Sequence, residues 1–226
     1  MIILHENLQK EAENIAARFN SRYGFNSEII NRDLTSAFLP IPEFNGFWES
    51  TSNLKQFLGE YGDKKVFVLT PKDIYYTNTS KDDDWIFAVC ADNINLIVMS
   101  TARMKRFDSK TSEILEVPEG LYIKRLETLA LHEVGHDIVK GKHLQDAFWI
   151  NAKTGYKLNL GLHCTDNSCA LYEIVDIRAP PMEEGYMQLG DEKKYDAGLD
   201  DVIERLNPNW FCGNCIALME ISEGYR

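Results

Sequence analysis

The chain has 226 residues, 44% hydrophobic and 11% aromatic, enough to bury one good core as a single domain of two lobes. Asp and Glu outnumber Lys and Arg by 35 to 24, giving a formal net charge of −11 and an isoelectric point near 4.9, which argues against a nucleic-acid or anionic-membrane surface. No apolar run approaches the length of a membrane helix, and Met1 to Leu4 is stopped at once by His5 and Glu6, so a cytoplasmic protein is expected.

Met1 to Leu4 reads as a first strand, followed by an amphipathic helix through about Arg22 with Leu8, Ala12, Ile15, Ala16 and Phe19 on one side and Gly24 at its end. Phe25 to Ile30 reads as a strand, residues 33–51 as a Pro-containing aromatic loop, and Asn53 to Tyr61 as a helix closed by Gly62. Lys65 to Thr70 is apolar enough for a buried strand. The loop of residues 71–84, whose Asp82, Asp83 and Asp84 read as a solvated tip, precedes strands at Trp85 to Ala91 and Asn95 to Thr101. Helices alternating with strands ahead of a long helix predict an α/β (α+β) fold, with helices packed on a mixed, mostly parallel sheet.

That long helix, over residues 118–141, starts with Pro118 and Glu119, repeats apolar side chains at Leu126, Ala130, Val134 and Ile138, and stops at Gly141. It contains His132-Glu133-Val134-Gly135-His136, an H-E-x-x-H pattern. Two histidines one turn apart share a helical face at about 6 Å along the axis, so both imidazoles reach one Zn²⁺ at about 2.0–2.1 Å. Glu133 then stands beside the metal, where its carboxylate can take a proton from a metal-activated water and deliver it to a leaving amine. Five loosely specified residues also arise by chance on amphipathic helices, and the site needs a third ligand.

Of the five cysteines, Cys90 falls in a strand and reads as a small buried apolar residue. The others form Cys164-x₄-Cys169 and Cys212-x₂-Cys215, two short loops that each present two sulfurs to one tetrahedral ion at about 2.3 Å. A structural zinc is expected in a reducing compartment, and disulfides if the protein is exported. Trp210 and Phe211, next to Cys212, are expected to pack around this knuckle.

With His163 directly before Cys164, the motifs together read His132-Glu133-x-x-His136, Gly161-Leu162-His163-Cys164-x₄-Cys169 and Phe211-Cys212-x₂-Cys215. This combination resembles the archaemetzincin family of zinc metallopeptidases. Thr70-x-x-Asp73-Ile74-Tyr75 and residues 98–104 extend the resemblance, so that it runs from about residue 64 to 215. The resemblance implies a metzincin-like fold holding two zinc ions. His132, His136 and His163 bind the catalytic ion, Glu133 is the base, and Cys164, Cys169, Cys212 and Cys215 hold the structural ion. The active-site helix then belongs to an N-terminal lobe of residues 1–141, and a small C-terminal lobe of residues 142–226 carries the third histidine and the cysteines. The implied partner is a peptide or protein substrate, pairing with a sheet strand for which Trp85 to Ala91 is the candidate.

The chain departs from the family pattern in three places. Between His136 and His163 lie 26 residues, 137 to 162, where the motif has five, so an insertion lies between the second and third histidines. Glycine stands two places before the last histidine and not three, and Leu171 occupies the methionine position of the metzincin turn. Met182, near Pro180 and Pro181, reads as a packing or loop residue. His143 competes with His163 for the third ligand through an equivalent Gly141-x-His143 spacing, but lacks an adjoining cysteine. Two further readings stay open: Glu173 as the third ligand, and a non-catalytic interaction module that keeps zinc for stability. Residues 182–207 are acidic and are expected to end in a helix from about Asp191 to Leu206.

Overall fold

The computed structural model describes residues 1–35, 38–40, 46–49, 59–75, 85–91, 95–105, 116–139, 141–174, 176–177 and 181–223. These divide into two compact units, Met1–Arg106 with Val117–Glu133, and Val134–Arg226 with Phe107–Glu116.

In the first unit, strands β1 (Ile2–His5), β2 (Glu28–Asn31), β5 (Val66–Thr70), β8 (Ala88–Ala91) and β9 (Leu96–Ser100) form a sheet in the order β2-β1-β5-β9-β8. Every neighbouring pair is parallel except β8 with β9, which is antiparallel and puts β8 at one edge. β1, β5 and β9 are buried at every position, which explains their unbroken apolar sequences. On one face Ile2, Leu4, Val66, Val68, Leu96 and Val98 cluster with Leu34, Phe38 and Ile74. Alternation sends Phe67 to the other face, where it meets Phe19 edge-on at 5.3 Å.

Phe19 belongs to α1 (Gln9–Tyr23), whose buried Ala12, Ile15, Phe19 and Tyr23 recur every three or four residues. Gly24 ends this helix at φ +66, a left-handed position that lets its N–H reach the Asn20 carbonyl. A smaller sheet, β3-β4-β6-β7, is built from β3 (Phe38–Pro40), β4 (Gly46–Glu49), β6 (Asp73–Tyr75) and β7 (Trp85–Ile86). Three of these strands fall in stretches expected to be loops, because two- to four-residue strands carry too short an alternation to be read. The expected helix over Asn53 to Tyr61 and the acidic triplet of residues 82–84 lie largely or wholly outside the described residues.

Helix α2 (Glu119–Ile138) carries the H-E-x-x-H pattern. Leu126, Ala130 and Val134 are fully buried along it, as the sequence period requires. Polar contacts also fix it to α1: Arg18 grips Glu127 with two bonds of 3.0 Å, the Tyr23 hydroxyl donates to the Leu131 carbonyl at 2.9 Å, and the Tyr122 hydroxyl donates to Glu11 at 3.0 Å. The Arg125 guanidinium, almost wholly buried, donates to the Met104 carbonyl. The division between the units falls inside α2, between Glu133 and Val134.

The second unit is organised by an antiparallel sheet in the order β11-β10-β12-β13, from β10 (Leu144–Asn151), β11 (Lys157–Cys164), β12 (Gly185–Leu189) and β13 (Glu192–Lys194). The segment between His136 and His163 is therefore largely a hairpin. A bulge opposite Ala147 and Phe148 places Gly161 at φ +94, two residues before His163, and the Asn159 side chain accepts the Gly161 N–H. α3 (Leu199–Arg205) is shorter than expected because residues 192–194 pair as β13 beyond the turn at Gly190. α4 (Gly213–Glu223) closes the unit. Among the described residues no helix is long and apolar enough to cross a membrane.

Candidate metal centres

His132 and His136 lie one turn apart on α2, and His163 comes from the end of β11. The rings of His136 and His163 are perpendicular, 4.6 Å between centroids. His132, His136 and His163 each offer a ring nitrogen within 4.8 Å of the other two. Nitrogens on one tetrahedral zinc are separated by about 3.4 Å for bonds of about 2.0–2.1 Å, so the donor set fits a single ion. Glu133, next to His132, is buried. Gly135, between the two helical histidines, lies so close to Leu171 that a methyl group there would stand 2.7 Å from Leu171 Cδ2.

Glu173 is buried beside this set. One of its oxygens lies 2.5 Å from His163 Nε2 and the other accepts the Ile174 N–H at 2.9 Å.

The second cluster forms where two loops meet. The Cys164 N–H donates to the Leu171 carbonyl at 2.9 Å and the Cys169 N–H to the Asp166 carbonyl at 3.1 Å, folding Cys164-x₄-Cys169 back on itself. Cys212 precedes α4 and accepts the Ile216 N–H, which sets Cys215 in the first helical turn. Trp210 takes a left-handed φ of +70, and its carbonyl accepts the Ala170 N–H at 2.7 Å, tying one cysteine loop to the other. A bulky residue in that conformation costs energy, which the surrounding packing sustains: Trp210 and Phe211 are both buried.

Cys164 and Cys212 sulfurs lie 3.7 Å apart, as do those of Cys169 and Cys215. All four cysteines are free thiols. The Cys169 thiol is drawn down to about 5, first by hydrogen bonding with Cys164, then with Cys215, and by the backbone N–H groups of Cys212 and Leu171. The same sulfur pairing pushes Cys164 and Cys215 up. Sulfurs this close cannot all ionise without a cation among them, and their 3.7 Å spacings match the edge of about 3.8 Å in a zinc tetrathiolate. The cluster fits zinc.

No family model and no curated protein matches the sequence. Solved structures do match. The crystal structure of a zinc-dependent peptidase from Methanocorpusculum labreanum resembles 97% of this chain and 100% of that one, with a TM-score of 0.58 at 14% identity. That of archaemetzincin from Methanopyrus kandleri resembles 99% of this chain and 94% of that one, with a TM-score of 0.54 at 16% identity. The chain shares the archaemetzincin fold.

Within that fold the structure brings together His132, His136 and His163 as one donor group. His143 joins Cys164, Cys212 and Cys215 within 4.8 Å, and its Nε2 lies 3.1 Å from Cys215 Sγ. In the sequence His143 shows only as a rival of His163 for the third ligand position, and its place beside the cysteines emerges from the fold. The available signal was Gly141: the Leu144 N–H returns to the Gly141 carbonyl, and this turn carries His143 off the axis of α2.

Proposed function

We propose that the chain is a zinc-dependent peptidase of the archaemetzincin type, with a catalytic ion held by His132, His136 and His163 and a structural ion held by Cys164, Cys169, Cys212 and Cys215. The observation that carries this reading is the convergence of three imidazoles next to a buried carboxylate, Glu133, since a purely structural tetrahedral site has no use for such a neighbour. The likeness in fold to two zinc peptidases supports it.

When bound, the catalytic ion supplies a Lewis acid that polarises the scissile carbonyl and acidifies water. Glu133 takes the proton of the attacking water and passes it to the amine nitrogen as the peptide bond breaks. His132 and His136 are held by a helix clamped along α1, so the base and two ligands keep a fixed separation. A substrate of neutral or basic character suits a chain of net charge −11. β8, the antiparallel edge strand, is the candidate for adding an extended peptide. Free thiols in the second cluster suit a reducing compartment such as the cytoplasm.

Zinc-loaded protein incubated with a peptide library is expected to cleave it, and Glu133→Gln is expected to keep its zinc and lose that activity. A wild-type protein carrying two zinc ions that cleaves nothing would favour the interaction module instead.

A further inference from the structure

Five potential donors meet at the second cluster, one more than a tetrahedral zinc accepts: Cys164, Cys212, Cys215 and His143 lie within 4.8 Å of one another, and Cys169 lies 3.7 Å from Cys215. Distances separate ligands from neighbour. Two zinc-bound sulfurs stand about 3.8 Å apart, and a zinc-bound nitrogen and sulfur about 3.6 Å apart, for tetrahedral bonds of about 2.3 and 2.05 Å. The separations Cys164–Cys212 and Cys169–Cys215, both 3.7 Å, use each cysteine once, and each matches the length of a sulfur–sulfur edge on one zinc. The His143–Cys215 separation of 3.1 Å is too short for two ligands of one ion and suits a hydrogen bond to sulfur.

We propose that His143 serves the cysteine site from outside it, donating its Nε2–H to Cys215 Sγ while the four cysteines alone hold the ion. Four thiolates around one Zn²⁺ carry an excess of two negative charges, and a half-buried N–H aimed at one sulfur offsets part of that excess. The backbone is shaped for this contact. A methyl group at Gly141 would stand 2.8 Å from His143 Nδ1 and would also meet Leu218, so the imidazole lies where only glycine leaves room. Leu144, the next residue, pairs across the hairpin with Cys164, which places the start of β10 at the metal loop.

This inference rests on the cysteines binding a metal, as proposed above, and is independent of peptide cleavage. The test is titration of the whole apo-protein with Co²⁺, because sulfur-to-cobalt charge-transfer bands arise only at the thiolate site and the three histidines do not contribute to them. His143→Ala is expected to keep the wild-type band pattern with an apparent dissociation constant raised about 10–100-fold. His143→Gln, which retains an N–H donor, should recover most of the loss, and Gly141→Ala should reproduce it by displacing the ring. Cys169→Ser should change the bands. If instead His143→Ala changes the bands and Cys169→Ser leaves them intact, His143 is a ligand and the proposal is wrong. Unchanged affinity in both His143→Ala and Gly141→Ala also overturns it. Absence of the bands in the wild type would remove the cysteine metal site altogether, an outcome distinct from either of these.

Discussion

Gly135→Ala tests how tightly the helix bearing the histidines is packed on the segment after the second cysteine. In an ordinary helix interior the change stabilises by about 1 kcal/mol. Here the new methyl would stand 2.7 Å from Leu171 Cδ2 and 3.2 Å from its Cγ, against about 3.5–4.0 Å for comfortable carbon contacts. Leu171 must therefore retreat by about 1 Å. It has nowhere to go: it is 1% exposed, lies between buried Ala170 and Tyr172, and its carbonyl accepts the Cys164 N–H. Overpacking of this kind costs about 1–3 kcal/mol, so the net effect of Gly135→Ala should lie between neutrality and a loss of about 2 kcal/mol. The deciding measurement is a double-mutant cycle by urea denaturation at fixed free zinc. Leu171→Ala alone should cost about 2–5 kcal/mol, and in that background Gly135→Ala should become stabilising by about 1 kcal/mol because the space is now open. If Gly135→Ala stabilises both backgrounds equally, the contact carries no strain and the reasoning fails.

Glu133→Gln should lower turnover by about 10²–10⁴-fold with zinc content intact, and undiminished turnover would sink the base assignment. Cys212→Ser should lower the melting temperature and cost one equivalent of zinc, since structural zinc contributes directly to folding free energy; wild-type melting with full zinc would rule out the four-cysteine site. His163→Ala should lose the other equivalent while the thiolate–cobalt bands persist, and retention of both zinc ions would contradict the three-histidine site. Replacing residues 150–157 by a two-residue Asn-Gly turn should leave both zinc equivalents in place, with loss of either counting against the hairpin as the feature that seats them.

The elements that could be read from the sequence are those whose burial is uniform or periodic. β1, β5 and β9 announce themselves because a strand buried on both faces is apolar throughout, and α2 because Leu126, Ala130 and Val134 keep the helical period. The two cysteine pairs needed only their spacing. β10 and β11 were not legible: both are largely exposed or half-buried, so no clean alternation marks them, and they exist through pairing with each other and with β12. α4 was missed because its apolar residues run consecutively from Cys215 to Met219 and show no helical period, leaving Cys212-x₂-Cys215 as the signal in that stretch. His143 could be noticed but not placed, since spacing alone does not say which way the turn at Gly141 sends it.

Were the long excursion between the second and third histidines an open loop, His163 would be a poor ligand, because ordering 26 residues against the metal costs entropy. Antiparallel pairing removes that cost from the metal. Leu144 is opposite Cys164 and Gln145 is opposite His163, so the hairpin returns the chain to the start of β10, eight residues after His136. The strand ladder, and not the ion, closes the loop. It also divides the labour of β11, because successive residues of a strand face opposite sides, which lets His163 turn to the histidine group while Cys164 turns to the sulfurs. The bulge at Gly161 comes just before this divergence and re-aims the strand end after the register has been set by Trp149–Leu158 and Phe148–Asn159. An excursion of this form can vary in length at its far turn without moving its last two residues, which is why a family spacing of five and one of 26 can serve the same pair of sites.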